Sequence, residues 1–215
     1  MELKPHDLVQ IRGIDELIFI QPFPDWAVSS LTKSPFVVVR RAEPYNGYIP
    51  VGIRGNNRGE RFAAWLSAKH PLAVVTPYSL TDPSKWKALY ISSFPPAVDC
   101  LLRIKPILDQ SGYNWGPTGS TGFELTTGSM VLKASSDLDL VLDIPDKINF
   151  QLAKKLLCVL QRGATVRLDL QLNIIAGGVA LQELVNYNTV LVKTTKGPVL
   201  KKANDIWDMD CVNFR

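Results

Sequence analysis

Gly119-Ser120, Asp137, Asp139 and Asp169 are the residues whose types and spacing can do chemistry together. In SDLDLVL, strand alternation throws Asp137 and Asp139 to one face and Leu138 and Leu140 to the other. Two carboxylates on one face repel, which costs stability unless a cation sits between them. Oxygen ligands of this kind suit Mg²⁺, which binds through one or two carboxylates, retained waters and substrate phosphates. In TVRLDLQL the same alternation separates Val166, Leu168, Leu170 and Leu172 from Arg167, Asp169 and Gln171. If the two strands are neighbours in one sheet, three carboxylates converge. Upstream, GPTGSTGFELTTG offers backbone N–H groups and the Ser120 hydroxyl ahead of a short helix expected over Gly122–Thr126. Helix starts and turn nests are anion sites. A single DxD is usually only the solvated face of a strand. A phosphate cradle, two carboxylates on the next strand and a third on a later one together indicate phosphoryl or nucleotidyl transfer.

The elements that must position these groups can be read along the chain. Val9–Arg12, Leu17–Gln21, Phe36–Ala42, Tyr48–Arg54 and Ala73–Thr76 are expected as strands, with Trp26–Leu31 a short helix. Asn46-Gly47 is the dipeptide favoured in tight hairpin turns. RGERFAAWLSA puts Phe62, Trp65 and Leu66 at helical spacing and is expected as an amphipathic helix. Pro and Ser cluster in TDPSKW and SSFPPA, which places a domain boundary there: 1–85 is expected as a small mixed domain and 86–215 as a second. In the second, Val98–Ser111 reads as a helix and Gly112–Gly128 as loop. LDLVLDI then reads as a strand, and Phe150–Arg162 as a helix closed by Gly163. ATVRLDLQLNI reads as a long strand, GGVALQELV as the opening of a helix, and TVLVKTTKGPVLKK as a hairpin. The expected class is α+β, or mixed α/β.

Composition excludes several alternatives. At 46% hydrophobic and 20% charged, the 215 residues can bury a core, so disorder is not expected. No run approaches the roughly 20 apolar residues of a membrane span, and the N-terminus has no signal-type apolar stretch. Cys100, Cys158 and Cys211 form no CxxC pair, which suggests a reducing cytoplasm and core-filling cysteines. Walker, HExxH and nucleophile-elbow motifs are absent. No basic stripe with interleaved aromatics points to nucleic acid. The formal net charge is +4, and residues 33–61 alone sum to +4: Lys33, Arg40, Arg41, Arg54, Arg58 and Arg61 against Glu43 and Glu60. The surplus is local, as expected of an anion site rather than a diffuse coat.

The order GS … DxD … D resembles the nucleotidyltransferase superfamily with the DNA polymerase β-like fold. The 16 residues between Ser120 and Asp137 make a long gap for that motif, and Met130–Ser135 is expected as an inserted hairpin. Over nearly the whole chain, PHDL, VVVRRA, IPVGIRG with RFAAWL, GPTGSTGFELTTG, SDLDLVL, LDLQL and GGVAL resemble a narrower family. This is the phosphoribosyl-dephospho-CoA transferases of malonate decarboxylase, also called its holo-acyl-carrier-protein synthases. The resemblance implies a cytoplasmic bacterial transferase with a polymerase β-like C-terminal domain built on a mixed sheet. Its donor would be 2'-(5''-triphosphoribosyl)-3'-dephospho-CoA, a substrate and not a resident cofactor. Its acceptor would be a serine of the decarboxylase's acyl carrier protein, and pyrophosphate would be released. No nucleic acid or membrane partner is implied. It further implies two Mg²⁺ ions bridged by Asp137 and Asp139, with Asp169 as ligand and base, and Gly119 and Ser120 on the β,γ-phosphates.

Within the basic segment, Arg54, Arg58 and Arg61 are expected to bind phosphates of the donor, by guanidinium forks suited to them; a solvated face or a docking face for an acidic carrier are the other readings. Trp115, next to the glycine loop, is a candidate for stacking on adenine, and Lys133 for reaching a phosphate. His6 and Gly177-Gly178 read as structural. The motif alone leaves open another hydroxyl acceptor, or a nucleotide-binding module without catalysis.

Overall fold

The computed structural model describes residues 2–208 apart from 56, 58 and 68–70. Among the described residues the strands form two six-stranded sheets, one from each half of the chain. The first contains β1 (Leu8–Gln10), β2 (Leu17–Ile18), β3 (Phe36–Val39), β4 (Ile49–Arg54), β5 (Arg61–Leu66) and β6 (Ala73–Val75), in the order β2-β5-β4-β3-β1-β6 and antiparallel throughout. Helix α1 (Asp25–Lys33) packs on β4. Val9, Ile11, Val37, Val39, Val51, Ile53 and Phe62 fill this core. Tyr45 and Tyr48 bridge across Asn46 and Gly47, whose φ values of 48° and 79° are those of a tight primed turn.

RGERFAAWLSA is not a helix. Arg61–Leu66 is β5, paired with β4 from Ile49↔Leu66 to Arg54↔Arg61. Phe62, Ala64 and Leu66 point into the core and Arg61 and Ala63 outward. Over so short a stretch Phe62 and Leu66 satisfy either period. The unpaired backbone of β4 decides it: Gly55 N donates to Glu60 O at 2.9 Å and the ladder continues from Arg54↔Arg61.

Helices α2 (Pro83–Leu89) and α3 (Pro96–Gln110) lead to the second sheet. It contains β7 (Trp115–Pro117), β8 (Leu138–Asp143), β9 (Leu168–Ile174), β10 (Gly177–Ala180), β11 (Thr189–Thr194) and β12 (Gly197–Lys202), ordered β12-β11-β10-β9-β8-β7. Helices α4 (Gly119–Thr127), α5 (Phe150–Gly163) and α6 (Leu181–Asn186) join them. β8 and β9 run parallel with α5 between them; the other pairings are antiparallel. The protein is thus α+β, as its sequence implies. Helix α3 packs on β8 and on α5, and Leu138, Leu140, Leu142, Leu170 and Leu172 lie in the large core formed with them. That leaves the other face of β8 and β9, bearing Asp139, Asp143, Asp169, Gln171 and Asn173, clear of these helices.

Three local expectations are corrected. Residues 128–137 form no hairpin; the Glu124 carboxylate pins the segment by accepting from Val131 N at 2.5 Å, Leu132 N at 2.6 Å and Tyr90 Oη at 2.7 Å. Gly177-Gly178 begins β10 rather than a helix, because it pairs with Ile174 and Asn173 of β9; a Cβ on Gly178 would meet the Gln171 amide at 2.7 Å, which accounts for the glycine. Helix α5 runs through Gly163 and is capped at Ala164. Of the cysteines, Cys100 is core and Cys158 is exposed, while Cys211 lies outside the described residues.

Candidate functional site

The long gap between Ser120 and Asp137 does not keep the two motifs apart. β7 pairs antiparallel with β8, Pro117 opposite Leu140, and Thr118 N donates to Asp139 O at 2.9 Å. The chain then turns into α4 at Gly119, with φ of 57°. A Cβ at this position would stand 1.9 Å from Asp139 Oδ2, so only glycine fits both the backbone angle and the approach. The glycine-serine turn therefore abuts the middle carboxylate.

Parallel pairing places Asp139 directly opposite Asp169, with Leu138↔Leu168 and Leu140↔Leu170 on either side. Asp139 is half-buried and Asp169 exposed. Burial, then the charges of Asp169 and Asp137, push the Asp139 carboxyl above the usual carboxylate range; Arg54 and Arg61 pull the other way. Asp137 keeps a loose pairing of 4.0 Å with the exposed Arg167. Among the described residues no three His, Cys, Asp or Glu side chains are drawn tightly enough together to hold an ion on their own. The donor set nevertheless suits Mg²⁺: oxygen only, with like charges beside Asp139, and open enough for water and phosphate to complete the shell.

Arginines arrive from the first sheet. Arg54, at the end of β4, extends over α4, where its Nη2 donates to Ser120 Oγ, and its own carbonyl accepts from Ser30 Oγ. It is half-buried, and burial together with Arg61 lowers its pKa. Arg61, its partner across β4–β5, is exposed. Arg61 thus opens a strand and not the first turn of a helix, and Arg58 lies outside the described residues. Beside them is a pocket of about 210 Å³ whose lining includes Ser30, Lys33, Arg54 and Ser129. The sheets thus bring Arg54, Arg61, Gly119, Ser120, Asp139 and Asp169 to one end of the groove between them. This arrangement can bind a polyphosphate and place carboxylates beside it.

Further along the same face is a polar network that sequence reasoning passed over. Arg41 Nη2 donates to Asn173 Oδ1 at 2.7 Å, and Asn173 Nδ2 and Tyr78 Oη both donate to Asp143 Oδ1. Lys193 Nζ donates to Gln171 Oε1 at 3.2 Å, which orients Gln171 Nε2 to donate to His6 Nε2 at 2.9 Å. His6 sits at φ 79°, and burial with the charges of Arg41 and Lys193 lowers its pKa to about 4, so its ring is neutral at pH 7. The signal was present: Asp143 continues the alternation of Asp139, and Gln171 and Asn173 continue that of Asp169. Trp115 is 5% exposed, with Nε1 on Asp109 Oδ1 at 3.1 Å, so it is core and does not stack on adenine. Lys133 is exposed on the irregular segment.

Comparison with known proteins covers both halves. The family model for the phosphoribosyl-dephospho-CoA transferase MdcG N-terminal domain matches residues 4–77, and that for its C-terminal domain matches 87–204. A phosphoribosyl-dephospho-CoA transferase of Pseudomonas putida (strain GB-1) is 37% identical over 207 residues, 95% of each chain. One from Pseudomonas fluorescens (strain Pf0-1) is 37% identical over 186 residues, 86% of each chain. Another, from Azotobacter vinelandii, is 36% identical over 210 residues, 95% of this chain and 94% of its own. No solved structure matches the chain significantly. Among the described residues no helix is long and apolar enough to cross a membrane.

Proposed function

The chain belongs to the phosphoribosyl-dephospho-CoA transferase family and is a transferase, and on that premise we propose what it transfers, to what, and how. The donor is 2'-(5''-triphosphoribosyl)-3'-dephospho-CoA. The acceptor is a serine hydroxyl of the malonate decarboxylase acyl carrier protein. The hydroxyl oxygen bonds to the α-phosphorus, the bond from α-phosphorus to the β-bridging oxygen breaks, and pyrophosphate leaves. The observation that carries this reading is the contact of Gly119 with Asp139 beneath Arg54.

In this reading Ser120 and the amides at the start of α4 bind the β,γ-phosphates, and Arg54 and Arg61 offset their charge. Asp169, exposed beside Asp139, takes the proton of the acceptor hydroxyl. Asp137, Asp139 and Asp169 would hold Mg²⁺, which when bound supplies charge neutralisation for the attacking and leaving oxygens. The catalytic demand is positioning and electrostatics, so no covalent enzyme intermediate is required. The polymerase β-like reading of residues 86–215 rests on the same arrangement, a glycine-serine helix start packed on a DxD strand. The test is to incubate the protein, Mg²⁺, donor and apo-carrier, then weigh the carrier. A gain equal to one phosphoribosyl-dephospho-CoA on the serine supports the function; an unchanged carrier defeats it.

A further inference from the structure

A larger pocket, of about 470 Å³, opens at the other end of the groove, lined by Arg41, Tyr113, Asn114, Asp143 and Asn173 with an apolar floor that includes Ile174. It sits at the carboxyl ends of β8 and β9, the parallel pair, which is where open sheets with parallel strands generally bind ligands. Arg41 is half-buried, and burial lowers its pKa. Among the described residues it makes no ion pair. Asp143 is near, but its Oδ1 is taken by Tyr78 and Asn173, which leaves Oδ2 as an acceptor for a hydroxyl or amino group. A desolvated guanidinium without a paired carboxylate is costly unless an anion completes the site. Arg54 is in the same position over Ser120.

The two arginines are held apart by both sheets at once. On β8, four positions separate Asp139 from Asp143, or about 13 Å. In the first sheet Val39 pairs with Val51. Beyond it Arg40 N donates to Pro50 O, so Arg41 leaves β3 beside the start of β4, at least four positions from Arg54, or about 13 Å. The groove therefore presents cations at both ends, Arg54 with Arg61 at one and Arg41 with Lys4 at the other, at a spacing suited to a ligand with two separate phosphate groups. The proposed donor is such a molecule, with a triphosphate on one ribose and the CoA diphosphate on the other. We propose that the Arg41 pocket binds the adenosine-diphosphate portion of the donor's dephospho-CoA half, with Arg41 on the diphosphate, so that the donor lies along β8 and β9 from Arg54 to Arg41. This rests on the proposed function and adds a second phosphate subsite to it.

Calorimetry with two probes tests it: dephospho-CoA, which lacks the triphosphate, and inorganic triphosphate. Arg41→Gln weakens dephospho-CoA by about ten-fold or more, the loss of one charge-assisted contact, and leaves inorganic triphosphate unchanged; Arg54→Gln does the reverse. Asn114→Glu, at an exposed position on the pocket rim, repels the diphosphate without touching the lobe contacts and gives the same selective loss as Arg41→Gln. Unchanged dephospho-CoA binding in both pocket variants, or equal weakening of both probes, overturns the subsite. If wild-type protein binds no dephospho-CoA, the donor assignment falls with it.

Discussion

Gly119 lies so close to Asp139 that a Cβ on the glycine would stand 1.9 Å from Oδ2. Its φ of 57° adds a second reason for glycine. Gly119→Ala must therefore move either the helix start or the carboxylate. The expected result is a loss of transfer of about a hundred-fold or more, because a small displacement of a reacting group is that costly. The stability loss, read by thermal melting, should be only about 1–2 kcal/mol. Wild-type turnover in this variant would show that the contact plays no part in the site.

Asp139 is held above the usual carboxylate range by burial and by Asp169 and Asp137. A carboxyl with a raised folded-state pKa contributes stability at low pH and loses it as pH rises through that pKa. At neutral pH without metal, Asp139→Asn should therefore melt higher than wild type. Added Mg²⁺ should raise the wild-type melting temperature and leave that of the variant unmoved. A lower melting point for Asp139→Asn, or equal Mg²⁺ stabilisation of both proteins, would count against the assignment of the carboxylates.

Arg54 and Arg61 are cross-strand partners in unequal surroundings. Arg54 is half-buried and bonded to Ser120, whereas Arg61 is exposed and screened by solvent. Arg54→Gln should raise the KM for the donor about ten-fold. Arg61→Gln should change it by less than about three-fold at physiological salt. The reverse order, or an effect confined to the KM for the carrier, would place the carrier on this face.

His6 bonds to Gln171 across the lobes and gives that contact a pH dependence. Its pKa is lowered to about 4, chiefly by burial and then by Arg41 and Lys193. A depressed histidine pKa means that the unfolded chain binds the proton more readily, so stability is lost as pH falls from 6.5 towards 4. His6→Asn keeps a residue that tolerates the left-handed φ and removes the titration. The melting temperature of the wild type should fall more steeply than that of the variant across this interval. The difference between the two cancels the opposing contribution of Asp7, whose pKa burial raises. Parallel curves would remove His6 from the account.

The alternation in SDLDLVL and TVRLDLQL was enough to predict which side chains share a face, because a strand covered on one side by helices must sort its residues by period two. It could not show that Asp139 and Asp169 stand in register, since register is set by α5 and the leucines beneath. The error at Phe62, Trp65 and Leu66 has a similar origin: the partner that makes the segment a strand is β4, and pairing is a property of two segments. His6, Arg41, Tyr78 and Asn173 come together from distant parts of the chain, and no local pattern marks their meeting. Asp143, Gln171 and Asn173 were legible, as continuations of faces already assigned.

The most direct measurement of the central claim is single-turnover transfer to the apo-carrier by Asp139→Asn, followed by carrier mass. If the carboxylates opposite each other on β8 and β9 form the reacting site, transfer falls by about a thousand-fold or more, an effect expected for a group acting on the reacting atoms, while dephospho-CoA still binds. Transfer by the folded variant within about ten-fold of wild type would contradict the account, since one lost charge-assisted contact accounts for no more than that.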